Sequence, residues 1–461
     1  MFLIFGCAII LAAGKGTRMK SRLPKVLHKL GGKYMIEYVI NGVRELGVEK
    51  LIAVIGHEAE MVRQALGEDV LYAVQKEQLG TGHAVLTAMP HIREEEGQVL
   101  VVCGDTPLIK PETFKKLWDF HRENKAACTV LSAFLPDPAG YGRIVREEGR
   151  VVKIVEQKDA SPEELSIHEI NTGTYCFDLK SLRKALTLLT PNNAQGEYYL
   201  TDVLSILVSQ GLKVKAVTAE DYQETMGINS RSQLAEAEKV LRERKIYQLM
   251  DEGITIIDPA STYIEQDVTI GRDTVIEPFT FLRGKTIIGS ECIIGPEADI
   301  KDSIVGNGVN VNRTVMIEAS VGDNCRIGPF AYLRPGTKLS HNVKIGDFVE
   351  IKKSNIGEHS KVPHLTYVGD AEVGKNVNIG CGTITCNYDG KHKYRTIIKD
   401  RAFIGSNTNL VAPVEVGEGA MIGAGSTVTK DVPPDGLAVA REKQVNIPGW
   451  AARKRKQQEE K

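Results

Sequence analysis

The sequence predicts two structural classes within one chain of 461 residues: an α/β domain over residues 1–231 and an all-β parallel solenoid over 253–461, joined by a helical linker at 232–252. Three observations carry that expectation. Short apolar runs, each followed by glycine and a longer amphipathic stretch, alternate through the first half. A branched aliphatic recurs every sixth residue through the second. Between them the composition turns rich in Ala, Glu, Lys and Leu with interleaved charges, as in an exposed helix.

In the first half, Ala8-Ile9-Ile10-Leu11 precedes a glycine loop, Leu51-Ile52-Ala53-Val54-Ile55 precedes Gly56, and Val99-Leu100-Val101-Val102 precedes Gly104-Asp105. Such runs mark βαβ units and a mostly parallel sheet, in which ligands sit beyond the carboxyl ends of the strands. The apolar opening, Met1 to Ala13, has no basic leading region and runs into Gly14-Lys15-Gly16, so it reads as a buried first strand and not a signal sequence. It is shorter than the roughly 18–20 apolar residues of a bilayer span, and no other stretch comes closer, so no membrane partner is expected.

In the second half Ile264, Ile270, Ile276, Leu282, Ile288, Ile294 and Ile300 stand six apart. The register slips by one and resumes at Val305, Val311 and Ile317, then resets at Val321 and runs through Ile327, Leu333, Leu339, Ile345 and Ile351. Further slips carry it through Ile356, Val362, Val368, Val373 and Ile379, and after an interruption it runs from Ile398 to Val428. A helix needs spacings of three and four. A period of six suits a coil with three short faces and about eighteen residues, repeated about nine times. Glycine commonly follows the aliphatic, which suits a corner where a Cβ would crowd or φ must be positive. Between Ile379 and Ile398 the phase is lost, and Cys386-Asn387-Tyr388-Asp389-Gly390-Lys391-His392-Lys393 reads as a loop thrown out from the solenoid, a usual place for function.

Composition narrows the function classes. Fifty-eight Lys and Arg against fifty-nine Asp and Glu leave a formal net charge of −1, which disfavours a nucleic-acid binder. Eight cysteines without a CxxC pair, in a chain too long to need staples, read as the reduced thiols of a cytoplasmic protein. Of 44 glycines 21 lie between residues 264 and 428, and aromatics make up only 6%, as a narrow solenoid with one aliphatic per face requires.

The loop Leu11-Ala12-Ala13-Gly14-Lys15-Gly16-Thr17-Arg18-Met19, followed by Pro24-Lys25, offers backbone N–H groups to phosphate, with Arg18 and Lys25 adding charge. It is not a Walker A loop, since Gly16 follows Lys15, nor the dinucleotide fingerprint, since Met19 stands at the third glycine. With Gln75, Gln78-Leu79-Gly80-Thr81-Gly82, Gly104-Asp105, Gly140-Tyr141-Gly142-Arg143, Val155-Glu156, Glu169-Ile170-Asn171-Thr172-Gly173 and Gly227-Ile228-Asn229 in order, residues 5–231 resemble the sugar-1-phosphate nucleotidyltransferases. The resemblance implies a Rossmann-like fold and Mg2+-dependent transfer from UTP, with Asp105 and Asn229 as metal ligands. It implies Lys25 and Arg18 as catalytic cations on the phosphates and departing pyrophosphate. Leu11, Ala12, Ala13, Gly14, Gln75, Gly80 and Thr81 would hold the nucleotide, and Gly142, Glu156 and Asn171 the sugar. Cys103, where relatives often carry an aromatic, and Gly104 would contribute backbone contacts.

Hexad phase makes a geometric statement about the second half. Arg334 follows the inward Leu333, and Lys352 follows the inward Ile351 one coil later. The two cations are expected to stack on one corner roughly 5 Å apart, which is unfavourable unless an anion bridges them. His364 lies close in sequence, and Asp347 occupies the same hexad position one coil earlier, where it would orient the ring. A zinc set from His341, His359 and His364 is disfavoured, because His359 and His364 differ in hexad position and no carboxylate or thiolate supports them.

The hexads, the His364 segment, Asn376-Val377-Asn378-Ile379-Gly380 and the stretch from Gly382 to Gly390 resemble the left-handed β-helix acyltransferases. Together, residues 5–448 resemble the bifunctional enzymes that acetylate glucosamine 1-phosphate from acetyl-CoA and then uridylylate the N-acetylglucosamine 1-phosphate. That resemblance implies His364 as general base, Arg334 and Lys352 as phosphate clamp, and Tyr367 and Asn378 on the sugar. Cys381, Asn387, Tyr388, Lys393, Ser406, Ala424 and Arg441 would line acetyl-CoA. A homotrimer with acetyl sites between subunits is also implied. The basic tail Arg453-Lys454-Arg455-Lys456 reads as a solvated end. Two alternatives stand beside this reading: a single-activity nucleotidyltransferase with a regulatory β-helix, and a solenoid used only for assembly.

Overall fold

The computed structural model describes residues 6–459, and the chain divides into two compact units, Met1–Arg244 and Lys245–Lys461. Residues 1–5, which the sequence assigns to the first strand, lie outside the described residues.

In the first unit the buried strand Gly6–Ala12 is central. It pairs in parallel with Lys50–Ile55 on one side and Gln98–Cys103 on the other, and Leu71–Val74 continues the sheet in parallel beyond Lys50–Ile55. Beyond Gln98–Cys103 the order is Glu169–Asp178, Cys128–Phe134, Val214–Thr218. Glu169–Asp178 runs antiparallel to both its neighbours, so the sheet is mixed, with one reversed strand inside an otherwise parallel run. Ile9, Val54 and Val101 face one apolar layer and Ala8, Ile10 and Val102 the other, as expected of strands buried on both faces. The glycine loop, Gln75 and Cys103-Gly104-Asp105 all follow carboxyl ends of parallel strands, so they gather at one end of the sheet.

The helix Arg231–Asp251 is less exposed than its charges imply. Ala237 and Leu241 pack into a cluster with Leu30, Met35, Leu108 and Ile228, while Ile246 and Leu249 belong to the core of the second unit. Each half of the helix buries its own apolar residues, and these do not continue as one stripe along it.

The second unit is a parallel β-helix of two- to nine-residue strands. Ile264 pairs with Leu282 and Leu282 with Ile300, eighteen residues apart each time, and where the hexads slip the separation shortens, as in Val305 to Val321. One face carries nine strands, matching the count of coils. The inward aliphatics form one continuous buried column. Ile317 is a correction: the inward residue of that strand is Met316, fully buried, and Ile317 lies half-buried beside it. Met316 pairs with Leu333, so the slips take up the residue that strict counting in sixes misassigned.

Crowding explains most of the glycines that follow an aliphatic, and positive φ adds to it at Gly295 and Gly328. A Cβ on Gly346 would lie 1.8 Å from the Pro363 carbonyl oxygen of the next coil. The positive φ values at one corner fall instead on larger residues, including Phe330, Phe348 and Leu365. All eight cysteines are free. Among the described residues no helix is long and apolar enough to cross a membrane.

Candidate active sites

Two adjoining cavities open at the carboxyl end of the first unit's sheet. The larger, about 360 Å3, is lined by Leu11, Ala12, Ala13, Gly14, Lys25, Gln75, Gly80, Thr81, Cys103 and Asp105. The smaller, about 210 Å3, is lined by Gly142, Glu156, Asn171 and Tyr175 and shares Leu11, Thr81 and Cys103 with the first. Nearly every nucleotide and sugar residue expected from sequence therefore lies on one continuous surface. Gly104 is buried just behind it, its N–H donating to the Leu11 carbonyl at 2.9 Å.

The Lys25 ammonium donates to the Asp105 carboxylate and, at 2.9 Å, to Asn229 Oδ1. Two hard oxygen donors from segments 124 residues apart thus converge on one positive point. Such a donor set fits a divalent cation, with the ammonium standing where positive charge is wanted. Arg18 is the departure: it sits exposed on the short helical turn Thr17–Met19 and lines neither cavity. The turn directs Met19 inward, into the core, and leaves its neighbour outside.

Gln75 is buried, and its side-chain nitrogen contacts the Gly80 carbonyl at 3.1 Å and His83 Nδ1 at 3.0 Å, so its carboxamide is fixed before any base arrives. Asn171 donates to the Tyr175 hydroxyl at 2.8 Å and accepts from the Gly173 N–H at 3.0 Å. Glu156 accepts from the Thr201 hydroxyl at 3.3 Å, and burial lifts its carboxyl above the usual range. Burial pushes the Cys103 thiol up to about 12, so it stays a neutral thiol.

In the second unit the long strands Lys344–Lys352 and Lys361–Gly369 lie in register, with Asp347 opposite His364. His364 Nδ1 and Asp347 Oδ1 are 2.6 Å apart, and that hydrogen bond holds the Asp347 carboxyl below its usual range. With Nδ1 engaged, Nε2 is the nitrogen left to accept a proton. Tyr367 stands opposite Glu350 on one face, and Asn378 opposite Lys361 on the next, so both flank the corner that carries His364.

The Arg334 and Lys352 corner corrects the sequence expectation. The two cations do stack, since Leu333 pairs with Ile351, but neither needs a bridging anion. Arg334 donates to Glu350 at 2.7 Å, and Lys352 donates to Asp370 at 3.0 Å. Counting in sixes follows the inward residues and overlooks outward carboxylates such as Glu350. Asp370 had a signal, because it directly follows Gly369, the residue that stands opposite Lys352 one coil on.

Asn387 is buried and donates to Asp370, and Lys393 lies against Lys352, so these two loop residues sit at the cation corner. Tyr388 is exposed and bridges in antiparallel fashion to Lys393, making the interruption a hairpin. Ser406 and Ala424 follow the paired Ile404 and Ile422 by two residues, and Cys381 follows Ile379 likewise, so the three form a ladder up one corner. Arg441 lies beside Gly425 at its far end, and Ser406, Ala424 and Arg441 are exposed.

Residues 8–150 match the MobA-like NTP transferase domain family, and residues 318–353 and 395–430 match the bacterial transferase hexapeptide (six repeats) family. Fold and sites together define a nucleotidyltransferase joined to a hexapeptide-repeat transferase. A protein of Geobacillus sp. named bifunctional protein GlmU is 56% identical over 97% of this chain and 97% of its own length. GlmU proteins of Desulfitobacterium hafniense and Clostridioides difficile are 53% and 54% identical, each over 97% of this chain and 99% and 97% of their own lengths. The chain belongs to the GlmU family of bifunctional proteins.

Proposed function

We propose that this protein makes UDP-N-acetylglucosamine by two reactions: acetyl transfer from acetyl-CoA to glucosamine 1-phosphate in the second unit, then uridylyl transfer from UTP in the first. The observation that carries the bifunctional reading is the His364–Asp347 pair, held on the corner at one edge of the face whose other edge carries Arg334 and Lys352. A nucleotidyltransferase with a purely regulatory solenoid has no use for an oriented base across one face from a cation clamp.

In the first unit Asp105 and Asn229 would hold Mg2+, which would supply charge to offset the repulsion between two phosphorylated substrates. Lys25 carries its charge to the phosphates of UTP, and the fixed Gln75 carboxamide reads the base. Glu156 and Asn171 accept and donate to the sugar hydroxyls from the smaller cavity. In the second unit Arg334 and Lys352 hold the sugar phosphate, with Tyr367 and Asn378 beside the ring. His364 takes the proton from the attacking amine through Nε2, while Asp347 holds the ring and stabilises the imidazolium. Cys381, Ser406, Ala424 and Arg441 form the groove for acetyl-CoA, joined by Asn387, Tyr388 and Lys393 of the hairpin. The flat faces of the β-helix suit a three-fold assembly of cytoplasmic subunits, with the uridylyl activity in residues 1–231 and the acetyl activity in 253–461.

The test is a paired assay: thiol release from acetyl-CoA with glucosamine 1-phosphate, and pyrophosphate release from UTP with N-acetylglucosamine 1-phosphate. Both are expected from the wild type, and absence of the first reduces the protein to a single-activity nucleotidyltransferase.

A further inference from the structure

The cation corner of the second unit has more charge than a clamp needs, and its arrangement depends on one residue. Lys352 on the β-helix is nearly buried, its side chain 12% exposed. Lys393 comes from the hairpin and lies against it. Two neighbouring ammonium groups repel each other unless a nearby carboxylate offsets their charge. Asp370 supplies it, accepting from Lys352 Nζ at 3.0 Å and from the side-chain amide of the hairpin residue Asn387. The Asp370 backbone is bound into both partners as well: its N–H donates to the Lys352 carbonyl at 3.0 Å and its carbonyl accepts from the Thr396 N–H at the hairpin's far end at 3.3 Å.

We propose that Asp370 is a positioning residue for the acetyl-transfer reaction: its carboxylate is the counter-charge that lets Lys352 and Lys393 sit side by side, and it ties the hairpin to the sugar-phosphate corner. The proposal rests on the acetyl-transfer reading above. Burial works against the Lys352 charge, yet the hydrogen bond to Asp370 holds it above the usual lysine range, while Lys352 holds Lys393 below it. The other charged or titratable groups facing the pair are Lys353, Tyr367 and, through Arg334, Glu350. Asp370 takes one of the three Lys352 N–H donors, which leaves two for a phosphate.

Removing the charge while keeping the shape, Asp370→Asn, sets the two lysines against each other and releases the hairpin. Steady-state acetyl transfer by the full chain is then expected to show KM for glucosamine 1-phosphate and for acetyl-CoA both rising, the first about tenfold. Adding Lys393→Met removes the repulsion, so the double variant is expected to return to within about threefold of Lys393→Met alone for the sugar phosphate. Asp370→Glu is expected to act like the wild type. An unchanged or lowered KM in Asp370→Asn overturns the proposal, as does simple additivity of the two substitutions or a fall in melting temperature alone. If Asp370→Asn fails to fold, recovery of folding in the double variant supports the proposal, and failure of both overturns it. A wild type that releases no thiol removes the underlying acetyl-transfer reading, whereas an active wild type with an indifferent Asp370→Asn removes only the positioning role.

Discussion

The two units build their sites by different geometry. In the first, residues far apart in sequence meet because parallel strands all end at one edge of a sheet: Leu11, Gln75, Cys103 and Asp105 line one open cavity. In the second, site residues meet because they are one coil apart: Asp347 with His364, Arg334 with Lys352, Lys352 with Asp370. The first arrangement depends on topology and tolerates irregular spacing. The second depends on register, so each position is set by the coil beneath it and the site lies open on a surface.

The sharpest way to break that contrast is to separate the activities. His364→Ala is expected to lower acetyl transfer by about 10²–10⁴-fold with uridylyl transfer intact, and Asp105→Ala to do the reverse, in the paired assay. Loss of both activities from either change in a folded protein means the units do not work independently.

Stability offers the next contrast. Leu282 is fully buried between the coils of Ile264 and Ile300. Leu282→Ala is expected to cost about 2–5 kcal/mol, read by calorimetry as a shift of the second unit's transition alone. Acid is expected to act on the other unit. Burial holds His121 at about 4 against an ordinary 6.5, so it stays neutral in the fold while the unfolded chain takes up a proton below 6.5. That contribution is fully present above pH 6.5 and falls as the pH drops toward 4, by about 2 kcal/mol between pH 7 and 5. Asp347→Asn is the mildest change, expected to lower kcat for acetyl transfer about tenfold with little effect on KM, because it loosens the base without touching substrate.

Legibility in the sequence followed the same division. Periodicity exposed the solenoid, its interruption and the Asp347–His364 register, because a repeat converts spacing directly into contact. It failed where the repeat absorbs irregularity, as when Met316 took the inward place assigned to Ile317. It also left the cations unpaired, because Glu350 and Asp370 lie outward of the apolar pattern. In the first unit the motifs named the cavity residues but not their mutual geometry. The Lys25 contact with Asn229 spans 204 residues, and no local pattern places Arg18 outside the pocket while Lys25 lies within it.

Val373 pairs with Ile398, and Ile379 with Ile404, across twenty-five residues where neighbouring coils use seventeen or eighteen. The ladder closes beneath the hairpin as though the extra chain were not there. Substrate choice at this corner can therefore change by lengthening, shortening or exchanging a surface segment, with no residue of the buried column altered. The solenoid behaves as a fixed rack and the hairpin as an interchangeable fitting, so altered substrate choice is most readily sought by grafting that segment whole.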